Sequence, residues 1–349
     1  MITNPTPQRQ LRGHMPARPV PKVASSHAYL ATLSPRLTPR DRWLTRMLHE
    51  HQVLTTPQIV QLAWPSLRSA NLRLRQLYTW RVINRFQPFI NRGTAPMHYV
   101  LDVAGAHIIA AQHDLPVTQL GYRDDRVLSW AHSLQLAHRV GISTVFADLI
   151  AHAREPHATG RLTAWWSEER CQRLFGHTVR PDGYGHWHTS TGEEIEWFLE
   201  YDFGTEALPQ LAAKLRGYHA LAAATSIATP VLIWLPTARR ETTARQALAH
   251  AHHALTCPQL VPVATTHAPA LDDTGEPAGA AGARWLPLHT HHPHRLTLAE
   301  LANAWPTATS PRSTPTPTAI PHPPATPGLR PLPVAALENP LGPPPPMPP

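Results

Sequence analysis

The chain has few of the residues that stabilise secreted or membrane-embedded proteins. Two of its 349 residues are cysteines, Cys171 and Cys257, which excludes a disulfide framework and a cysteine-rich zinc site. The sequence has no apolar run of about 18 residues, and its N-terminal segment lacks the apolar stretch of a secretory signal. We therefore expect a cytoplasmic protein with no membrane partner and with two buried, unpaired thiols.

Proline is abundant and unevenly placed. Seventeen of the forty prolines lie in residues 306–349, which predicts a disordered proline-rich tail. Residues 1–36 are rich in Pro, Arg and Ser without periodicity, and we expect a disordered basic arm there. What remains is long enough for two folded domains.

Positive charge is concentrated in the first third of the chain. Residues 1–104 contain fourteen Lys and Arg against three acidic residues, a balance of +11, whereas the rest has seventeen against twenty, or −3. Because binding to a polyanion follows the position of the cations, this asymmetry favours a nucleic-acid-binding module joined to a second unit. The alternative is an ordinary solvated basic surface.

Helix-start signals predict a winged helix-turn-helix over residues 37–104. Thr38 precedes Pro39, Pro57 stands just inside a second apolar segment, and Ser66 begins a third that continues to Trp80. Two short apolar segments then flank a turn, 82–86 and 98–101. Three helices followed by a two-stranded wing are typical of this DNA-binding unit.

The third helix and the wing carry the candidate DNA contacts. Arginine and asparagine match base-edge hydrogen-bonding patterns, and cations neutralise phosphate. The predicted contacts to double-stranded DNA are Arg68, Asn71, Arg73 and Arg75 on the helix and Arg85 and Arg92 in the wing. The alternative is a structural helix that contacts another protein.

A connector, 105–128, leads to a second predicted domain at 129–268. A long helix is expected from Ser129 to Glu155, and the order α-β-β-β-α-β-α-β indicates a mixed sheet flanked by helices, which makes the fold α/β, or α+β overall. A variable His-rich segment follows at 269–305. Its histidines lack convergent spacing, so we expect them to face solvent rather than hold a structural metal: His289, His291, His292 and His294.

Residues 182–206 contain seven carboxylates and no Lys or Arg. Glu200 and Asp202 are two apart on a predicted strand and therefore share a face, while Asp182 opens the neighbouring strand. Carboxylates gathered in this way can hold Mg²⁺, and Lys214 on the next helix is the nearest downstream cation. The alternative is a surface cluster paired with Arg180 and Arg216.

Pro181-Asp182, Glu200-Tyr201-Asp202 and Lys214 together resemble the PD-(D/E)xK nuclease-like core. The resemblance implies a restriction-endonuclease-like sheet, Asp182 and Glu200 as Mg²⁺ ligands, and Lys214 as the amine that positions the attacking water. Asp202 stands where that family usually has lysine. The catalytic candidates are therefore Asp182, Glu200, Asp202 and Lys214, either as an active Mg²⁺-dependent endonuclease or nickase or as an inert relative.

A second resemblance covers residues 37–255. The segments LTPRDRWLTRMLHEHQVLTTPQIVQLAWPSLRSANLRLRQLY, APMHYVLD, WWSEERC, VRPDGYG, FLEYDFGTEAL and KLRGYHAL are similar to the replication-relaxation family of actinobacterial plasmids and integrative elements. The resemblance implies DNA binding in mobile-element replication or mobilisation. Three hypotheses follow: DNA binding without catalysis, a metal-dependent endonuclease or nickase, and a scaffold that recruits a relaxase or replication initiator.

Overall fold

A computed structural model describes residues 11–12, 22–90, 93–123, 126–131, 133–225, 228–268, 270–271, 278–288 and 294–305. Within these ranges the chain forms eleven α-helices, a three-stranded antiparallel sheet and a six-stranded mixed sheet. The predicted α+β class is confirmed. In this described part of the chain, no helix has the length and apolar character that crossing a bilayer requires.

The N-terminal part of the chain builds the smaller sheet. Its strands β2 and β3 both pair antiparallel with β5, and a short β1 pairs with β4. The elements are β1 (Leu11–Arg12), α1 (His27–Leu33), α2 (Pro39–His51), β2 (Leu54–Thr55), α3 (Thr56–Ala63), α4 (Leu67–Thr79), β3 (Ile83–Phe86), β4 (Phe89–Ile90), β5 (His98–Leu101) and α5 (Val103–Gln112).

Side-chain caps start the helices of this unit. The Thr38 backbone N–H donates to Asp41 Oδ2 at 2.7 Å, and the Thr38 hydroxyl accepts from the Asp41 N–H, which together form a capping box at the start of α2. Thr55 caps α3 in the same way with Gln58, and the Ser66 hydroxyl caps α4. These three starts agree with the sequence-based helix starts.

The second part of the chain builds the larger sheet, with strand order β11-β10-β9-β8-β7-β6. Strands β6, β7 and β8 form an antiparallel meander, β9 and β10 run parallel to β8, and β11 is antiparallel. The elements are α6 (Arg126–Ala131), α7 (Leu136–His152), β6 (Gly160–Ser167), α8 (Glu168–Phe175), β7 (Gly183–Thr189), β8 (Glu194–Tyr201), α9 (Leu208–Thr225), β9 (Val231–Leu235), α10 (Ala238–His253), β10 (Val263–His267), β11 (Leu286–Pro287) and α11 (Leu298–Ala304).

Alternation along β8 divides its side chains between two cores. Trp197, Leu199 and Tyr201 join the hydrophobic cluster that contains residues of α7 and α11. Phe198 joins a second cluster with Leu215 of α9 and residues of α10. The sheet is therefore covered by helices on both faces.

The two units share one core. The first cluster runs from Leu44 and Leu62 of the N-terminal helices to Phe146 and Trp165 of the larger unit. In the same interface the His51 ring stacks on Trp165, with centroids 3.6 Å apart. The units are therefore packed together rather than joined by a free connector.

A buried ion pair crosses the same interface. Arg170 of α8 donates from Nε to Glu50 Oε1 at 2.8 Å and from Nη2 to Glu50 Oε2 at 2.9 Å, and the Ser167 hydroxyl also donates to Glu50. Burial opposes ionisation of Glu50, but the contacts with Arg170 lower its pKa to about 2. The pair is thus charged and fully satisfied at neutral pH.

Several sequence-based boundaries are wrong. The arm predicted to be disordered through residue 36 is helical over 22–36, since Leu33 is buried against the core. The predicted connector 105–128 contains most of α5, a largely buried helix that packs on α2. The single helix expected from Ser129 to Glu155 is divided into α6 and α7.

The expected variable segment, 269–305, belongs in part to the fold. Trp285, Leu298 and Leu301 are buried in the main core, and β11 extends the large sheet. The predicted proline-rich tail, 306–349, lies outside the described residues. Both cysteines are unpaired, as expected, with Cys171 buried and Cys257 half-buried.

Replacing Arg170 tests the shared core. We expect Arg170→Ala to lower the free energy of unfolding by about 3–5 kcal/mol, because it leaves the Glu50 carboxylate buried without a counter-charge. Urea denaturation measures this loss. The matched control is Arg173→Ala, an exposed position on the same helix, which should change stability by less than about 0.5 kcal/mol. If the two variants lower the free energy of unfolding equally, the Glu50–Arg170 pair does not stabilise the shared core.

Candidate functional site

The predicted acidic residues meet at one end of the large sheet. Because β7 and β8 are antiparallel, the start of β7 lies beside the end of β8. The Asp182 N–H donates to the Leu199 carbonyl at 3.0 Å, and Asp182 Oδ2 accepts from the Tyr201 N–H at 2.7 Å. Asp182 directly precedes β7 and therefore lies beside the end of β8 that carries Glu200, as the sequence predicts.

Glu200 is buried, with 2 % of its surface exposed, and both of its oxygens have donors. Oε2 accepts from Lys214 Nζ at 2.8 Å and Oε1 accepts from the Tyr218 hydroxyl. Burial, followed by the negative charge of Asp182, raises the Glu200 pKa to about 7 despite these donors. Burial disfavours charge on Lys214, but the charges of Glu200 and Asp182 outweigh it and raise the lysine pKa.

Asp182 faces a histidine that the sequence does not single out. His138 of α7 lies with Nε2 3.1 Å from Asp182 Oδ1. Burial acts against both charges, yet the mutual attraction is stronger, so the Asp182 pKa is lowered and the His138 pKa is raised. The Asp182 carboxylate is therefore paired with the His138 imidazole.

Asp202 is paired with a different side chain from those that pair with Glu200 and Asp182. Arg240 of α10 donates from Nε to Asp202 Oδ2 at 2.7 Å, and the Gly204 N–H donates to Oδ1 at 2.7 Å. Gly204 has φ +82°, a backbone conformation that favours glycine at this turn. Asp202 is 5 % exposed, and Arg240 supplies the opposite charge beside it.

A cavity of about 680 Å³ opens onto this cluster. Its polar lining combines cations and acids, and Leu134 at its edge is 85 % exposed. The lining residues are Leu134, Gln135, Ala137, His138, Glu168, Asp182, Tyr201, Asp202, Phe203, Gly204, Thr205, Glu206 and Lys214. Lys214 Nζ also lies 3.1 Å from Glu206 Oε2, so it bridges Glu206 to the buried Glu200.

The two predicted Mg²⁺ ligands are each paired with a side chain of the protein, Asp182 with His138 and Glu200 with Lys214. Mg²⁺ requires oxygen ligands that converge on one point, and its binding at this cluster stays a prediction. Of the described residues, one group of three metal-ligating side chains has its ligand atoms within 4.8 Å of one another, and it consists of His186, His188 and Glu194. We therefore assign no metal-dependent step to the acidic cluster.

Some of the predicted DNA contacts are exposed, and others pack against the protein. Arg68, Asn71 and Arg75 are exposed on one face of α4. Arg73 instead points inward, with Nε 2.9 Å from Asp41 Oδ1, and ties α4 to α2. Arg85 lies over the Tyr78 ring at 4.4 Å.

Arg92, the remaining predicted DNA contact, lies outside the described residues. The exposed face of α4 also presents Leu72, 65 % exposed, beside the polar side chains. An exposed face that combines arginine, asparagine and an apolar side chain is suited to contact with another macromolecule.

Sequence reasoning missed three partners of the acids: His138, Tyr218 and Arg240. Tyr218 follows Lys214 by four residues on α9, so helical spacing could have found it. His138 and Arg240 come from α7 and α10, and no local pattern links them to Asp182 or Asp202. These contacts depend on the packing of helices against the sheet.

Comparison with known proteins finds one family. A family model described as replication-relaxation matches residues 45–233, from within α2 to β9. The matched region includes α4, Asp182, Glu200 and Lys214. No curated protein and no solved structure matches the chain.

Removing the cation at Glu200 should make stability depend more strongly on pH. The folded-state pKa of Glu200, about 7, lies above its ordinary value of 4.5, so its contribution to stability is full below pH 4.5 and is lost as the pH rises through 7. Lys214→Met raises that pKa further, because Asp182 then acts without the opposing charge. We expect the variant to lose about 1–2 kcal/mol more stability at pH 8 than at pH 5, since one pKa unit corresponds to about 1.4 kcal/mol.

Urea denaturation of both proteins at the two pH values measures this difference. Arg216→Met, at an exposed position on the same helix, is the matched control and should show the wild-type pH dependence. If Lys214→Met lowers the free energy of unfolding by the same amount at pH 5 and pH 8, the raised pKa assigned to Glu200 is contradicted.

Proposed function

The chain belongs to the replication-relaxation family, whose model covers more than half of it, and on that premise we propose that it binds double-stranded DNA in the replication or mobilisation of a plasmid or other mobile element. We further propose that it does so without cleaving DNA. The first statement rests on the N-terminal unit and the second on the acidic cluster.

The order of elements supports a winged helix-turn-helix. Helix α2, strand β2, helices α3 and α4, and strands β3, β4 and β5 follow one another, and β2, β3 and β5 form one antiparallel sheet. In such a unit the second helix of the helix-turn-helix enters the major groove and the wing contacts the backbone. Here that helix is α4.

The exposed face of α4 is the observation that carries the proposal. Arg68, Asn71 and Arg75 are spaced by three and four residues, which places them along one side of the helix. None of the three side chains forms an ion pair or hydrogen bond with another described residue. Arginine can contact guanine or phosphate and asparagine can contact adenine, so the face is suited to duplex DNA.

The larger unit supports descent from a nuclease-like fold. Its order α7-β6-α8-β7-β8-α9-β9 has Asp182 directly before its second strand and Glu200 on its third, and apart from the inserted α8 it agrees with the PD-(D/E)xK pattern. Because each acid is neutralised by His138, Lys214 or Arg240, we infer that the site is inert. The alternative, an endonuclease or nickase, has the nearby Lys214 amine in its favour.

Two expectations extend the proposal. A relaxase or replication initiator as protein partner stays a prediction, and so does a cytoplasmic location. The tail that would serve as a recruiting segment, 306–349, lies outside the described residues.

DNA affinity tests the role of α4. We expect the triple variant Arg68→Ala/Asn71→Ala/Arg75→Ala to bind duplex DNA at least ~10-fold more weakly, with the slope of log K against log salt reduced by about 2, because two phosphate-neutralising arginines are lost. Fluorescence anisotropy with labelled duplexes at several salt concentrations gives both values. The full chain is used, since the two units share a core.

The control is the double variant Arg173→Ala/Arg216→Ala, which removes two exposed arginines from α8 and α9. It should keep wild-type affinity and salt slope. If it weakens binding as much as the triple variant does, or if the triple variant binds normally, the DNA surface lies elsewhere.

Supercoiled plasmid tests the absence of cleavage. At a protein concentration that saturates DNA, we expect plasmid to remain supercoiled in Mg²⁺ or Mn²⁺, because the acidic side chains are already paired. Open-circle or linear product that Glu200→Gln abolishes, and that Glu193→Gln in the exposed turn leaves intact, would establish the nuclease alternative instead. Agarose electrophoresis resolves the three forms.

A further inference from the structure

A second group of ionisable side chains lies at the opposite end of the same two strands. His186 and His188 belong to β7, and Glu194 is the first residue of β8. His188 follows Asp182 by six residues, which places it about 20 Å further along the strand at roughly 3.3 Å per residue. This group is therefore separate from the acidic cavity.

The register of the hairpin brings the three side chains together. His186 and His188 are two apart and project from the same face, and Glu194 is the cross-strand partner of His188. His186 Nε2 lies 3.2 Å from Glu194 Oε2, and His188 Nδ1 lies 3.2 Å from Glu194 Oε1. The carboxylate thus lies between two imidazoles.

We propose that His186, His188 and Glu194 form a binding site for one divalent transition-metal ion of the zinc class. One nitrogen of each imidazole and one oxygen of Glu194 lie within 4.8 Å of one another. An ion held tetrahedrally at about 2.0–2.1 Å by nitrogen and oxygen separates neighbouring ligand atoms by roughly 3.4 Å, a spacing that small rotations of these side chains reach. Two imidazole nitrogens favour Zn²⁺ and its neighbours over Mg²⁺ and Ca²⁺, which prefer oxygen ligands.

The surroundings are rigid and accessible. Strand β7 is hydrogen-bonded on both sides, by β6 and β8, so the backbone that carries the two histidines is held in place. The side chains of His186, His188 and Glu194 are 19 %, 32 % and 42 % exposed, which lets an ion and water reach them. Three protein ligands leave a coordination position for water or for a side chain from a partner.

The neighbouring charges are mixed. Arg161 on β6 is the cross-strand neighbour of His188 and opposes a bound cation. Glu196 on β8 is the cross-strand neighbour of His186 and supplies a second negative charge at the same face. Glu194 and Glu196 together outweigh Arg161, so the site carries net negative charge while its histidines are neutral.

Zinc titration of the metal-free full chain tests the site. We expect isothermal titration calorimetry to show one Zn²⁺ fewer per chain in His186→Ala/His188→Ala than in the wild type. The difference in stoichiometry is the readout, because the chain has other histidines that can bind zinc weakly. The control His157→Ala/His177→Ala removes two exposed histidines outside the site and should keep the wild-type number.

A second pair of variants separates metal binding from loss of folding. Glu194→Gln should weaken the same binding event at least ~10-fold, whereas Glu193→Gln, its neighbour in the turn, should leave it unchanged. Circular dichroism confirms that each variant is folded. If the wild type and both site variants bind zinc with equal stoichiometry and affinity, the proposal is overturned and the three residues form ordinary His–Glu ion pairs. If the control variants lose as much zinc binding as the site variants, the proposal is overturned in favour of zinc binding by scattered histidines.

Discussion

The buried pairing of Glu50 with Arg170 is the constraint on which the arrangement of the two units depends. A charged pair without water is tolerated only when both partners are present and hydrogen-bonded, so α2 and α8 must meet in one geometry. The stacking of His51 on Trp165 and the continuous core reinforce that geometry. The exposed face of α4 and the acidic cavity are consequently parts of one packed body.

The same requirement explains the acidic cluster. Carboxylates that lie close together repel one another, and the fold pairs each of the three with a side chain from a different helix: His138 of α7, Lys214 of α9 and Arg240 of α10. The acids where β7 and β8 meet are therefore held in internal ion pairs.

Local signals predicted much of the fold. The caps at Thr38, Thr55 and Ser66 act within four residues, and the buried strand Val231–Leu235 has the bounds that its apolar run indicates. Segments with weak local signals were misjudged. Residues 22–36 form helical turns, and 278–288 and 294–305 belong to the fold, because distant core residues cover parts of them, and composition does not record such contacts.

The sequence by itself determined the starts of α2, α3 and α4 and which face of β8 each side chain takes, because capping and strand alternation act over a few residues. Tertiary structure alone decided the partner of each charge. It turned Arg73 from a predicted DNA contact to Asp41, placed His138 against Asp182, and gathered His186 and His188 around Glu194. Those choices depend on strand register and helix packing, and both are set by burial of the whole core.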